Sequence, residues 1–196
     1  MMQNKVIIGI TGNSGSGKTT VTQILAGHGG HAIEADAVAH NAMAPNQPTF
    51  KKIVAAFGSD ILVDEKIDRK KLGAIVFNDT KKRTQLENIV HPVVIDEILK
   101  EIAVVDAPLV VVDAVLLVES GLHRHCNSLW LVIAPEEARL QRIIARDGLS
   151  KEAAQARMRN QRDTTHIASI AQWIVNNDGD MSSLKTRVQK GLEDII

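Results

Sequence analysis

Short runs of apolar, mostly β-branched residues recur along the chain, separated by segments with helical periodicity. Apolar runs of this length are typical of strands that are buried on both faces of a sheet. The sequence predicts five such strands, at Val6–Thr11, His31–Ala35, Leu109–Asp113, Leu129–Ile133 and Trp173–Val175. Because strands that alternate with helices form parallel sheets with helices on both sides, we expect a three-layer α/β fold.

Two longer stretches interrupt this alternation. Between Pro45 and Pro108 no core strand is evident, and helical patterns occur at Pro48–Phe57, Arg69–Phe77 and Lys81–Val90. From Pro135 to about Ala171 the pattern is again helical and arginines recur. We expect one domain over residues 1–196, with a core at about 1–44, 106–134 and 172–196, an inserted helical substrate subdomain at about 45–105, and an arginine-containing helical lid at about 135–171.

Composition and charge narrow the class of protein. The chain is 44% hydrophobic and 23% charged, which is ordinary for a globular protein. Lysine and arginine together number 23, as do aspartate and glutamate, so no global field attracts nucleic acid or an anionic membrane. The single cysteine, Cys126, cannot form an internal disulfide, and no apolar run approaches the length of a membrane span. We expect a cytoplasmic protein, monomeric or weakly homo-oligomeric, without nucleic-acid or membrane partners.

The segment from Gly12 to Thr19 fits the phosphate-loop pattern G-x-x-x-x-G-K-S/T. It lies between the predicted strand ending at Thr11 and a predicted helix through Leu25. Glycine permits positive φ, so the N–H groups of such a loop turn around an anion, and the positive end of the helix points at the same place. We therefore expect the loop to bind the phosphates of ATP, with contacts from Gly12, Gly15, Ser16, Gly17, Lys18, Thr19 and Thr20.

The polar residues of the loop have separate predicted roles. Lys18 would reach the β- and γ-phosphates as a point charge, the Thr19 hydroxyl would coordinate Mg²⁺, and Thr20 would support the loop. Asp113 ends a run of four apolar residues, the usual form of a strand whose carboxylate holds Mg²⁺ through water. The alternatives are a solvent-facing Asp113 or a share in this role for Glu119.

The residues after the loop favour a phosphotransferase. A guanine-specific GTPase carries Asn-Lys-x-Asp after a later strand, but the only Asn-Lys pair, Asn4-Lys5, precedes the first strand. Kinases of small substrates place an acceptor-binding acid after the second strand, where this chain has Asp36. The alternatives are a nucleoside or nucleotide kinase and, from a different class, an ATP-dependent switch that needs no acceptor base.

A series of short motifs runs in order along nearly the whole chain. They are Ile8–Gly12 with Gly15–Lys18, Glu34–His40, Phe57-Gly58, Ile67–Arg69 with Leu72, Leu86-Glu87 with His91-Pro92, Leu116–Glu119, Arg139 and Arg142 and Arg146 with Arg157 and Gln161, and Asn177–Gly179. This order resembles the dephospho-CoA kinase family, apart from Glu34 for an aspartate, Val115 for a proline, and Gln172-Trp173 where an acid is usual. The resemblance implies ATP-dependent phosphorylation of the ribose 3′-hydroxyl of dephospho-CoA, the final step of coenzyme A synthesis.

The resemblance also implies roles for single residues. Asp36 would accept the proton of the attacking hydroxyl. Arg142 and Arg146, four residues apart on one face of a predicted helix, would close over the transferring phosphoryl group, unless this is a solvated basic face.

Four further residues would bind the two substrates. Arg69 would meet an anionic part of the acceptor, and Glu119 would also bind it. His91 would either shape the acceptor pocket or cap a helix before Pro92. Asn177 would lie beside the adenine or form a turn after the last strand.

Overall fold

The strands of the chain form one large sheet and one short hairpin. The computed structural model describes residues 5–161 and 163–195. Its strands are β1 (Val6–Thr11), β2 (Gly30–Glu34), β3 (Leu62–Val63), β4 (Lys66–Ile67), β5 (Leu109–Asp113), β6 (Ser128–Ile133) and β7 (Trp173–Asn176). The large sheet has the order β2-β5-β1-β6-β7, and β1 pairs in parallel with both β5 and β6. The predicted α/β fold with a five-stranded parallel sheet is therefore confirmed.

Helices follow most of the strands. They are α1 (Lys18–Gly27), α2 (Ala35–Ala42), α3 (Pro48–Phe57), α4 (Arg69–Asn78), α5 (Thr80–Val104), α6 (Glu136–Asp147), α7 (Lys151–Arg159), α8 (Thr165–Ile170) and α9 (Met181–Glu193). The chain divides into two compact units, Glu34–Val105 and the remainder. Within the described ranges, no helix combines the length and the apolar character needed to cross a membrane.

The core of the larger unit lies on the central strands. Ile8 and Ile10 of β1 are completely buried, as are Val111 of β5 and Trp130 of β6. Side chains of α1 and α9 pack against these strands in the same cluster, which includes Val21, Leu25, Leu184 and Val188. The central strands β1 and β5 are therefore apolar over most of their length, and their polar residues, Thr11 and Asp113, lie at the strand ends.

Two side-chain amides complete the hydrogen bonding where strands begin. Asn127 Oδ1 accepts from the backbone N–H of Ile7 at 2.7 Å, and the Asn127 N–H donates to the Ile7 oxygen at 2.7 Å. Gln172 makes the same exchange with Leu129, at 2.7 Å through its side-chain oxygen and 3.0 Å through its N–H. These amides pair backbone groups that the neighbouring strands do not reach. Gln172 thus supplies a side-chain acceptor at the position where the sequence departs from the family's usual acid.

The smaller unit, Glu34–Val105, contains α2 to α5 and the antiparallel β3–β4 hairpin. Its longest element is α5, which has 25 residues and contains Pro92. The expectation that His91 caps a helix before Pro92 is wrong, because α5 continues to Val104. An interior proline costs about 3 kcal/mol, and the buried stripe of Val90, Val94, Ile98 and Ile102 offsets this by packing against the other helices of the unit.

Candidate active site

The loop between β1 and α1 has the backbone that its glycines predict. The φ angles are +149° at Gly12, +79° at Gly15 and +97° at Gly17, in a region where glycine has no steric penalty. Helix α1 begins at Lys18, and no side chain caps its N-terminus. The positive end of α1 therefore lies at the loop, which is the arrangement that binds phosphate at helix N-termini.

Each of these glycines also lies against another part of the larger unit. A Cβ atom would lie 2.3 Å from the Val132 oxygen if built on Gly12, 2.7 Å from the Arg139 oxygen on Gly15, and 2.1 Å from Asn177 Nδ2 on Gly17. Atoms at these separations overlap, so a side chain at any of the three positions would displace its neighbour. The loop is thus held between β6, α6 and the turn after β7.

Two polar side chains of the loop suit an anion. Lys18 curls back, and its Nζ donates to the Gly12 oxygen at 3.0 Å. Ser16 is 1% exposed, and its Oγ has no hydrogen-bond partner among the described residues. A buried hydroxyl without a partner is costly unless a ligand satisfies it. Together with the glycine backbone and the ammonium group, this hydroxyl fits the phosphates of a nucleotide.

Arg142 of α6 contacts the outside of the loop. Its Nη1 donates to the oxygens of Gly15 and Ser16 at 3.2 and 3.3 Å. Its Nη2 donates to the backbone and side-chain oxygens of Asn177 at 3.3 and 3.4 Å. Asn177 Nδ2 in turn donates to the Ser16 oxygen at 2.8 Å. The structure therefore brings Arg142 and Asn177, both predicted site residues, together on the backbone of the phosphate loop.

The neighbouring arginines of α6 also reach the loop. Arg139 Nε donates to the Ser14 oxygen at 3.1 Å, and Arg139 Nη2 donates to the side-chain oxygen of Gln161. Burial lowers the pKa of Arg139. Arg146 Nη2 donates to Ser14 Oγ at 3.3 Å and pairs through Nε with Asp147 at 2.7 Å. The helical spacing of the three arginines thus places all of them toward one loop.

Asp113 and Thr19 are the predicted Mg²⁺ contacts. Asp113 is the last residue of β5, opposite Ile10 of β1, and its Oδ2 accepts from Thr22 Oγ1 at 3.5 Å. Thr19 is exposed in the first turn of α1, where Thr20 follows it. Residues 5–161 and 163–195 contain no group of three or more His, Cys, Asp or Glu able to hold a metal ion. The Asp113 carboxylate and the Thr19 hydroxyl are oxygen donors of the kind that holds Mg²⁺, which usually has one or two protein oxygens together with phosphates and water.

A cavity of about 300 Å³ lies at the ends of β6 and β7. Ile133, Ala134, Pro135, Asn176 and Asp178 line it. Arg187 of α9 donates to the Asn176 oxygen and to Asp178 Oδ1, and this hydrogen bond lowers the pKa of Asp178. Neither this cavity nor a role for Arg187 was predicted from the sequence. The position of Arg187 in the sequence does not indicate its partner, because Asp178 lies nine residues earlier, before α9 begins.

The other predicted site residues are divided between the two units. Asp36, exposed near the start of α2, Arg69, exposed at the start of α4, and His91, half-buried within α5, belong to Glu34–Val105. Glu119 is exposed in the turn after β5, in the larger unit. Their roles stay predictions.

The strand order and the loop between β1 and α1 define a phosphate-loop kinase fold. The crystal structure of shikimate kinase from Bacteroides thetaiotaomicron shares this fold at 15% identity, with a TM-score of 0.54 and 96% of each chain covered. The match to one family is far stronger: the sequence model for dephospho-CoA kinase matches residues 6–183. The chain belongs to the dephospho-CoA kinase family, as its motifs predict.

Individual relatives agree with this assignment. The dephospho-CoA kinase of Geobacter sulfurreducens is 39% identical over 188 residues, covering 94% of this chain and 95% of the relative. That of Carboxydothermus hydrogenoformans is 37% identical over 186 residues, covering 93% and 90%. The structure of dephospho-CoA kinase from Campylobacter jejuni is 31% identical, with a TM-score of 0.68 and 96% of both chains covered. The similarity thus extends through both compact units.

Proposed function

We propose that the protein transfers the γ-phosphoryl group of ATP to the ribose 3′-hydroxyl of dephospho-CoA, giving coenzyme A and ADP. This is the final step of coenzyme A synthesis. The observation that carries the proposal is the glycine cradle from Gly12 to Thr19 in a chain that matches the dephospho-CoA kinase family over residues 6–183.

The loop supplies the site for the phosphates of ATP. Gly12, Gly15 and Gly17 adopt positive φ, which allows the N–H groups of the loop to turn around the phosphates, and the buried Ser16 hydroxyl offers one more donor. Lys18 would exchange its bond to the Gly12 oxygen for the β- and γ-phosphates. The cavity lined by Ile133 and Asp178 would take the base, with Asn177 beside it.

Thr19 and Asp113 would hold Mg²⁺, with Thr20 supporting the loop behind them. When bound, Mg²⁺ neutralises charge on the phosphates. Arg142 adds fixed positive charge on the outer side of the loop, where its guanidinium already contacts Gly15 and Ser16.

The acceptor side of the reaction is assigned to Asp36, Arg69, His91 and Glu119. Asp36 would accept the proton of the attacking 3′-hydroxyl, while Arg69 would pair with an anionic part of dephospho-CoA. His91 would shape the acceptor pocket and Glu119 would also bind the acceptor. A lid over about 135–171 would exclude water and so suppress hydrolysis of ATP. We further propose that the enzyme is cytoplasmic and that it is monomeric or weakly homo-oligomeric. Gel filtration would test the oligomeric state.

A direct assay tests the reaction. The purified chain is incubated with MgATP and, in separate reactions, with dephospho-CoA, nucleosides, nucleoside monophosphates or shikimate, and ADP and the phosphorylated product are both quantified. We expect coenzyme A and ADP in equal amounts in the reaction with dephospho-CoA, and no phosphorylated product with the other acceptors. Lys18→Met is the inactive control for a contaminating kinase. Stoichiometric ADP with a nucleoside or nucleotide, and none with dephospho-CoA, would contradict the proposal.

A further inference from the structure

Asn177 reaches far from its own turn. Its backbone N–H donates to the Ile133 oxygen at 2.7 Å, which ties the residue to β6. Asn177 is buried, with 6% of the residue exposed. Its Nδ2 donates to the backbone oxygen of Ser16, 161 positions earlier in the sequence. An asparagine that only shapes a turn bonds to backbone within a few residues of itself. The carboxamide of Asn177 is instead committed to the phosphate loop.

The contact is part of a closed set of hydrogen bonds. The Ser16 oxygen accepts from Asn177 Nδ2 at 2.8 Å and from Arg142 Nη1 at 3.3 Å. Arg142 Nη2 donates to both oxygens of Asn177, at 3.3 and 3.4 Å. Both polar atoms of the carboxamide are therefore engaged by protein groups. Asn177 Nδ2 and Arg142 Nη1 together hold the carbonyl oxygen of Ser16.

The direction of this carbonyl sets the direction of the next N–H. In a trans peptide the C=O and the N–H point to opposite sides, and the described residues contain no cis peptide bond. Holding the Ser16 oxygen toward Asn177 and Arg142 therefore turns the Gly17 N–H away from them. Gly17 has a φ of +97° and no side chain, so its own sterics restrain this peptide plane little. Asn177 and Arg142 supply a restraint on this peptide plane from outside the loop.

We propose that Asn177 is a positioning residue for phosphate binding: with Arg142 it fixes the Ser16–Gly17 peptide so that the Gly17 N–H faces the phosphates. This rests on the proposed phosphotransfer only in that the phosphates belong to ATP. The same close approach is seen at Gly17, where a Cβ would lie 2.1 Å from Asn177 Nδ2. The role differs from a contact to adenine, because it concerns phosphates and not the base.

Binding measurements without acceptor, together with one kinetic control, test the proposal. We expect Asn177→Ala to raise the Kd for ADP about tenfold, the loss of one well-made hydrogen bond, and to leave the KM for dephospho-CoA unchanged. Inorganic tripolyphosphate, which has no base, is measured as a competitor and should weaken by a similar factor. An ADP-specific loss with unchanged tripolyphosphate affinity would mean a base contact and would overturn the proposal.

Two further variants separate positioning from stability. Asn177→Asp keeps the shape and the oxygen that faces Arg142 but replaces the donor to Ser16, so we expect a loss at least as large as in Asn177→Ala. Gln189→Ala is the matched control, because it removes a carboxamide that bonds to Glu193 on the same helix, α9. The Gly17 amide resonance should shift in the Asn177 variants and not in the control. A lower melting temperature with unchanged Kd values would show a merely structural role.

The failure of this proposal is distinguishable from the failure of the proposed reaction. If the wild type binds ADP and tripolyphosphate but leaves dephospho-CoA untouched, the reaction is wrong and the role of Asn177 stands on the binding data. If the wild type phosphorylates dephospho-CoA and Asn177→Ala binds both probes as tightly, the role of Asn177 is wrong and the reaction stands.

Discussion

The side-chain nitrogen of Asn177 occupies the space that a Cβ atom on Gly17 would need, at 2.1 Å from that position. Gly17→Ala would therefore displace Asn177 and also impose positive φ on a residue with a side chain. We expect a loss of stability of about 1–3 kcal/mol and a larger loss of ATP binding. Thermal unfolding with and without MgATP measures both.

Gly27 provides the matched control for this substitution. It is the last residue of α1, and a Cβ there would meet nothing within 4 Å. We expect Gly27→Ala to leave ATP binding unchanged and to stabilise the fold by about 0.4–1 kcal/mol. If Gly17→Ala bound MgATP with wild-type affinity, this result would contradict the view that the loop is held tightly against Asn177.

The loop from Gly12 to Thr19 was predictable from the sequence, whereas the contacts that Arg142 and Asn177 make with it were not. The strands and the glycine loop are local: β1 occupies Val6–Thr11 as predicted, and the motif itself requires positive φ at Gly15 and Gly17. Apolar run length and turn chemistry are read from consecutive residues. For this reason the fold class and the backbone conformation of the loop were both predictable.

The hydrogen bonds that hold the loop in place depend on tertiary packing. Arg142 and Asn177 were singled out, but their contact spans 35 positions, and no spacing rule connects residues on α6 and after β7. The interior Pro92 of α5 was similarly unpredictable, because local rules end a helix before proline and only the packing of Val90, Val94 and Ile98 overrides them. Single-residue signals therefore selected candidate site residues, whereas the hydrogen bonds between those residues required the structure.

Asp36 is expected to act on the acceptor and not on ATP. Asp36→Asn removes the proton acceptor but keeps the shape, so turnover with dephospho-CoA should fall about 10²-fold while the Kd for ATP stays unchanged. The smaller end of the usual range is expected because phosphoryl transfer depends mainly on charge neutralisation. Steady-state kinetics and calorimetric titration with ATP measure the two quantities.

Glu34→Gln is the control for Asp36, because Glu34 is an exposed acid two positions earlier. It should keep normal turnover. Full phosphotransfer by Asp36→Asn would remove Asp36 from the mechanism. If the wild type binds ATP and responds to a partner protein but shows no turnover, an ATP-dependent switch would be favoured instead.

Cys126 is expected to be unreactive in the folded protein. Burial raises the pKa of the Cys126 thiol to about 12, and its Sγ contacts the Leu122 oxygen at 3.7 Å. At about pH 8 the reactive thiolate is therefore on the order of 10⁻⁴ of the population. An aromatic disulfide reagent should label the native protein very slowly and the protein unfolded in guanidinium at once. Rapid, stoichiometric labelling of the native protein would show that this thiol is accessible and ionised.

The ion pair between Asp178 and Arg187 should make stability depend on pH. The hydrogen bond from Arg187 lowers the pKa of Asp178 below its ordinary value of 3.8. Because the folded pKa lies below the unfolded one, the pair stabilises the fold above the unfolded pKa, and this contribution disappears as pH falls through the folded pKa. Arg187→Met should therefore melt below wild type at about pH 6, and the difference should shrink toward about pH 3.

A remainder of this difference should persist at low pH, because Arg187 also donates to the backbone oxygen of Asn176, which does not titrate. Lys185→Met, an exposed cation on the same helix, is the matched control and should follow the wild-type curve. Since Asn176 and Asp178 line the cavity proposed for the base, Arg187→Met should also raise the KM for ATP more than that for dephospho-CoA. A melting difference that is constant from about pH 6 to about pH 3 would mean that Arg187 stabilises the loop by packing and the Asn176 bond alone, without the charge of Asp178.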